Sequence, residues 1–161
     1  LAANPCPCGR FFGRGRSCEC SSLQVRRYLN KLSGPLLDRM DIRIIVETPR
    51  RIDLASEASE ESSDQIRARV IKARARSQHR WNQYSVALSA QAPSELLRSR
   101  FKAEKSAMSF LHTLLDEEKI TARGFHKVLR VAWSIADLKE IERPGLAEVE
   151  RAISLRSGLR G

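Results

Sequence analysis

At 161 residues the chain is long enough for one ordinary domain or two small ones, and its 42% apolar content can fill a core, which excludes a disordered tail. Twenty-nine Lys and Arg against 19 Asp and Glu give a formal charge of +10, which favours an anionic partner such as nucleic acid or nucleotide phosphate. No apolar run approaches the roughly 18 to 20 residues needed to cross a bilayer, and Leu1-Ala2-Ala3-Asn4-Pro5 puts no charged segment ahead of an apolar one, so membrane and secreted classes are set aside and a cytoplasmic location is expected.

The chain opens without Met on what reads as the last residues of a buried strand, so it is expected to be a piece of a longer protein. Cys6, Cys8, Cys18 and Cys20 then fall within fifteen residues, and no cysteine occurs afterwards. A disulfide framework staples distant segments, whereas two Cys-x-Cys pairs nine residues apart place four soft ligands on one short loop. The pattern predicts structural zinc, with reduced unliganded thiols as the other reading, because Cys-x-Cys bites more tightly than Cys-x-x-Cys and Pro7 narrows the backbone further. Arg10, Arg14 and Arg16 would favour thiolates, which serves metal binding and redox reactivity alike.

Ser22 is placed as the N-cap of a helix carrying Leu23, Leu29 and Leu32, ended by Ser33-Gly34-Pro35 and followed by a turn over Leu36-Leu37-Asp38-Arg39-Met40. Residues 41–47, Asp-Ile-Arg-Ile-Ile-Val-Glu, are β-branched and roughly alternating and predict one strand, stopped by Pro49. Residues 49–63 are acidic and rich in Ser and Ala, a connector with little to bury.

Beyond Asp64 the period is helical. Ile66, Val70, Ala73, Ser77 and Trp81 form a stripe flanked by Arg67, Arg69, Lys72, Arg74, Arg76 and Arg80, a basic amphipathic helix. Four of these, Arg69, Lys72, Arg76 and Arg80, are candidates for tracking a nucleic-acid backbone, against an equally good reading as a solvated face. A short helix over Leu96, Leu97 and Phe101 follows the turn at Pro93, then a helix burying Ala107, Met108, Phe110, Leu111, Leu114 and Leu115. Another starts at Thr121 and buries Phe125, Val128, Leu129, Ala132, Ile135 and Ala136, and a last one after Pro144 carries Leu146, Val149 and Ile153. His79, His112 and His126 sit singly on helices and read as surface residues. No Gly-x-x-x-x-Gly-Lys-Ser/Thr phosphate cradle occurs anywhere in the chain.

Three ordered blocks, Leu1-Ala2-Ala3-Asn4-Pro5-Cys6-Pro7-Cys8-Gly9, Leu32-Ser33-Gly34-Pro35-Leu36-Leu37-Asp38-Arg39-Met40-Asp41-Ile42, and Thr121-Ala122-Arg123-Gly124-Phe125 with Leu129-Arg130-Val131-Ala132, resemble the ComM-type, magnesium-chelatase-like AAA+ ATPases. The resemblance implies a mainly α chain. Residues 1–48 would be the tail end of an α/β AAA+ core (one strand plus the cysteine loop), 49–63 a linker, and 64–161 an all-helical lid. It implies ATP and Mg²⁺ as cofactors of a longer parent whose Walker A and B motifs lie upstream, so that this chain alone is expected to be inactive. It implies self-association into a hexameric ring and DNA as partner, in branch migration during natural transformation. Asn4 would be the sensor 1 residue, Arg39 the arginine finger and Arg123, pointing away from Phe125 in the first turn of its helix, the sensor 2 residue. The alternatives are the ATPase subunit of a tetrapyrrole magnesium chelatase and, from another class, a stand-alone zinc-stabilised nucleic-acid-binding module.

Overall fold

The computed structural model describes residues 1–11, 17–32, 34–46 and 61–158, which fall into two compact units. The first is built on Leu1–Met40 and the second on Asp41–Ile44 with the chain from Glu60 onward. The expectations placed on Arg14, Arg16, Ser33, Glu47 and residues 49–60 lie outside the described residues.

In the first unit the cysteine loop leads into α1 (Ser22–Asn30). The helix opens on a capping box: Ser21 Oγ accepts from the Gln24 backbone N–H at 3.3 Å and the Gln24 side chain accepts from the Ser21 N–H at 2.8 Å. The N-cap is therefore Ser21, one residue before the expected Ser22. Val25 is the buried residue of this helix, while Leu23 and Leu29 are exposed. Six residues apart, those two leucines sit about 120° from each other around the helix and share no face. The expected turn over 36–40 is a short helix, α2 (Gly34–Asp38), closed by bonds from the Arg39 N–H to Leu36 O and from the Met40 N–H to Leu37 O, both 3.1 Å.

No strand is formed among the described residues, so the one expected over residues 41–47 is absent from 41–46. A strand needs a ladder partner. The Arg43 N–H instead donates to the carbonyl of Leu155 in the last helix at 2.8 Å, and Ile44, Ile45 and Val46 are exposed.

The second unit is an all-helical bundle: α3 (Ser63–Trp81), two single 3₁₀ turns (Asn82–Tyr84 and Ser89–Gln91), α4 (Ser94–Arg98), α5 (Lys105–Asp116), α6 (Ala122–Leu138) and α7 (Leu146–Ser157). Helix α6 is its centre and packs against α3, α4, α5 and α7. Thr121 Oγ1 caps it by accepting from the Gly124 N–H at 2.9 Å, and Phe125, Val128, Leu129, Ala132 and Ala136 form the buried stripe expected of it. Beside that stripe Trp81, Phe101, Trp133 and Tyr84 meet edge to face, with centroids 4.7 to 6.2 Å apart. Both indoles are satisfied: Trp133 Nε1 donates to Phe101 O at 3.0 Å and Trp81 Nε1 to Ser89 Oγ at 3.1 Å. The stripe of α3 turns inward only from Val70 on, since Ile66 is exposed.

Two helices end on left-handed glutamates. After α5, Glu118 has φ +57° while the Lys119 N–H reaches back to Leu114 O at 2.9 Å; after α6, Glu140 has φ +58° while the Ile141 N–H reaches Ala136 O at 3.0 Å. This is the Schellman closure, which glycine fills without the Cβ penalty. Glu118→Gly should therefore stabilise the chain by about 1 kcal/mol, since a side chain costs ~1–2 kcal/mol in this conformation and a carboxylate opposes the negative helix end. Thermal denaturation of the variant, melting above the parent, checks this.

Candidate functional site

The cysteine loop is built on a tight turn. The Gly9 N–H donates to Cys6 O at 3.0 Å, and Gly9 takes φ +75°, a conformation a side chain would strain. The turn brings Cys6 and Cys8 Sγ to 3.3 Å, and Cys18 Sγ lies 3.7 Å from each of them. With Cys20 included, the four sulfurs all fall within 4.8 Å of one another. Tetrahedral zinc thiolate, with Zn–S near 2.3 Å, needs sulfurs about 3.8 Å apart, so this donor set fits that ion. Cys6 is buried and Cys8 exposed. Backbone N–H groups of Arg10 and Glu19, then the Cys6 thiol, hold the Cys8 thiol down at about 6, while withdrawal from water pushes Cys18 up to about 12. Four thiols this close cannot all ionise without a cation among them. Arg10, expected to act on the thiols, directs its guanidinium to Glu19 at 3.3 Å.

Asn4 is exposed two residues before Cys6. Arg39 is exposed in the turn that closes α2. Arg123 is exposed in the first turn of α6. The next two cations on its side of the helix are structural rather than solvated: Lys127 pairs with Asp41 at 2.7 Å, and Arg130 clamps the Ala92 carbonyl with two N–H groups at 2.8 and 3.1 Å. Lys127 and Arg130, four and seven residues beyond Arg123, are thus taken up by the fold and do not form a solvated basic stripe.

The four nucleic-acid candidates on α3 are also held within the chain. Arg69 grips Glu61 with both Nη atoms, Lys72 lies 4.0 Å from Glu140, and Arg76 donates to Ile141 O at 2.9 Å. Arg80 corrects the sequence reading most. It makes a two-pronged ion pair with Asp137, which is 2% exposed, and stacks 4.0 Å over the Trp133 ring, with 10% of its side chain exposed. A residue on the flank of α3 in sequence becomes buried because α6 presents Asp137 and Trp133 on the facing side. His126, expected on the surface, is half-buried with its Nε2 shielded, and burial lowers its pKa, helped by Arg98 and Arg130.

Residues 60–156 match the family described as magnesium chelatase, subunit ChlI C-terminal, and residues 1–54 match its companion, magnesium chelatase, subunit ChlI. The chain belongs to the ComM-type, magnesium-chelatase-like family. Relatives include an uncharacterized protein of Mycobacterium tuberculosis, 43% identical over 97% of this chain and 30% of its own length. The competence protein ComM of Haemophilus influenzae is 34% identical over 91% of this chain and 28% of its own, and YifB of Escherichia coli is 32% identical over 97% and 30%. The chain spans about 30% of the length of the curated relatives it matches.

Membership in the magnesium-chelatase-like family places the chain among AAA+ proteins. Among the described residues no helix is long and apolar enough to cross a membrane. What sequence reasoning missed in this family member is the set of polar ties around α6: Asp41 to Lys127, Ala92 to Arg130, and Arg80 to Asp137. Asp137, a lone carboxylate inside an apolar run, was the one legible signal.

Proposed function

We propose that this chain is the C-terminal part of an ATP-driven AAA+ motor that acts on DNA as a hexameric ring. The observation that carries the reading is the ordered match to both chelatase families together with the likeness to a competence protein. Residues 1–48 end the AAA+ core and 64–161 form its lid. Asn4 orients the attacking water or γ-phosphate, Arg39 reaches the nucleotide of the neighbouring subunit, and Arg123 contacts nucleotide from the lid. ATP with Mg²⁺ binds to Walker motifs in the upstream part of the parent, and the 161-residue chain alone neither binds nor hydrolyses ATP. DNA contacts made by this chain alone are weak, because Arg69, Arg76 and Arg80 of α3 already have acceptors.

The test is ATP hydrolysis by the full-length protein with and without branched DNA, alongside ATP calorimetry on the 161-residue chain. DNA should raise turnover and drive strand exchange. Turnover indifferent to DNA would overturn the motor reading, and micromolar ATP binding by the 161-residue chain would overturn the division of labour.

In the same reading Cys6, Cys8, Cys18 and Cys20 hold one structural zinc, an ion that crosslinks the loop and does no chemistry. Native mass spectrometry of chain purified with zinc should show one ion per chain, released on acidification as protons compete for the thiolates. Apo protein alone, or metal retained after Cys8→Ser with Cys20→Ser, would refute it.

A further inference from the structure

The turn joining α4 to α5 within the helical bundle carries Arg98, Arg100, Lys102 and Lys105, all exposed, and none of them pairs with a carboxylate among the described residues. Arg69, Arg80 and Lys127 elsewhere in the bundle each meet one. The backbone beneath the four cations is pinned at both ends. The N–H groups of Ser99, Arg100 and Phe101 bend back onto the carbonyls of Glu95 and Leu96 at 2.8 to 3.0 Å, and the Glu104 N–H donates to Pro144 O at 3.0 Å. Leu97 and Ala103 are buried, and the Phe101 ring is held edge to face against Trp81, so the apolar residues of the stretch turn inward and the cations outward. Arg100 lies 5.8 Å over the Tyr84 ring. The two acids of the stretch do not neutralise it: Glu95 sits in the first turn of α4, and Glu104, the N-cap of α5, makes no side-chain cap bond and lies against Gly145. Lys105 thus stands at the positive end of α5, whose first turn holds no acid, a place where an anion is favoured. Burial first, and then the charges of Arg98 and Arg130, lower the His126 pKa, so the positive potential reaches the flank of α6.

We propose that Arg98, Arg100, Lys102 and Lys105 form the surface by which the helical bundle grips the phosphate backbone of DNA, without reading its sequence. The choice of DNA as the anion rests on the motor reading above; the surface itself rests on the placement of these four residues. Cations on a rigid turn with no exposed apolar residue among them suit a repeating phosphodiester better than a protein face, whose interface core is apolar. The aromatic rings of the turn are committed to the core, which leaves none to stack on bases, so the contact positions the strand and carries no sequence information.

The test is fluorescence anisotropy of a labelled DNA duplex with the 161-residue chain, read as affinity against salt. Four phosphate contacts at a slope of about −0.9 each should cost roughly 100-fold in affinity between about 50 and 200 mM salt, equally for duplexes of unrelated sequence. Replacing Arg98, Arg100, Lys102 and Lys105 together by Gln should flatten the log–log slope by about 3.6, and each single replacement by about 0.9. Arg98→Lys with Arg100→Lys should keep the parental slope, and melting of every variant is measured in parallel. Absence of binding at low salt, a quadruple variant that melts like the parent and keeps its slope, a slope lost instead with Arg69→Gln and Lys72→Gln, or equally tight binding of a polyglutamate chain would overturn the inference. In the full-length protein the quadruple variant should keep basal ATP hydrolysis and lose its stimulation by DNA. Stimulation undiminished in the variant would overturn this surface and leave the motor reading intact, whereas a parental protein whose turnover ignores DNA would overturn the motor reading, and the surface would then be decided by the anisotropy alone.

Discussion

Arg39→Ala in the full-length protein should lower kcat by roughly 10³- to 10⁵-fold while leaving ATP binding and ring assembly nearly intact. The size follows from the role: a finger adds positive charge where charge develops in the transferred phosphoryl group, in the adjoining subunit, and contributes little to its own subunit's fold. At 1.36 kcal/mol per decade that is about 4 to 7 kcal/mol of barrier. An exposed arginine in an ordinary surface ion pair is worth ~1 kcal/mol at most, so the two roles predict effects that do not overlap. Mixing Arg39→Ala subunits with Walker-deficient subunits that keep Arg39 should regain hydrolysis at interfaces joining a good site to a good finger. Failure to regain any in rings shown to be mixed would count against action in trans, and near-normal turnover of the single variant would end the assignment.

The second large effect concerns Asp137. Removing its carboxylate by Asp137→Ala leaves the Arg80 guanidinium, 10% exposed and stacked on Trp133, without its counter-charge. Breaking such a pair costs about 3–5 kcal/mol, a large share of the 5–15 kcal/mol by which small domains are stable. At roughly 4–8 °C per kcal/mol the melting temperature should fall by at least ~12 °C. Replacing both partners, Arg80→Met with Asp137→Leu, should recover much of the loss, because the penalty is an unpaired buried charge and not a missing attraction. Equal melting of Asp137→Ala and the parent would show that water reaches the pair.

The bundle was readable from the sequence where one residue's burial is decided by its own helix. The α6 stripe and its Thr121 cap follow from a 3.6-residue period and a hydroxyl at the right offset. The same capping logic, Ser with Gln three residues on, marks Ser21-Ser22-Leu23-Gln24 and Ser62-Ser63-Asp64-Gln65, and attention to the glutamine would have placed the first cap correctly. What the period could not supply is the identity of the neighbour. Arg80 and Arg130 look alike with the other cations until α6 and the Ala92 carbonyl are in place. Residues 41–47 carry a strand's composition, but pairing is a property of two segments, and the described part of this one spends an N–H on a helix end instead. The cysteine site was legible because its four donors are neighbours in sequence, whereas Asn4, Arg39 and Arg123 were singled out by resemblance.

The placement of Asp41–Ile44 in the bundle also bears on how this protein can be cut and recombined. Chain order and spatial order disagree there: part of the helical module precedes the connector that joins it to the rest. A truncation beginning at residue 60, where the C-terminal family match begins, would keep every helix of the bundle yet discard a piece of it. It would remove the Asp41 carboxylate that meets Lys127 and the Arg43 N–H that donates to the Leu155 carbonyl. Chimeras that exchange lids between relatives at the connector would pair each transplanted lid with a foreign strap, so that compatibility would be decided by four residues outside the transplanted piece.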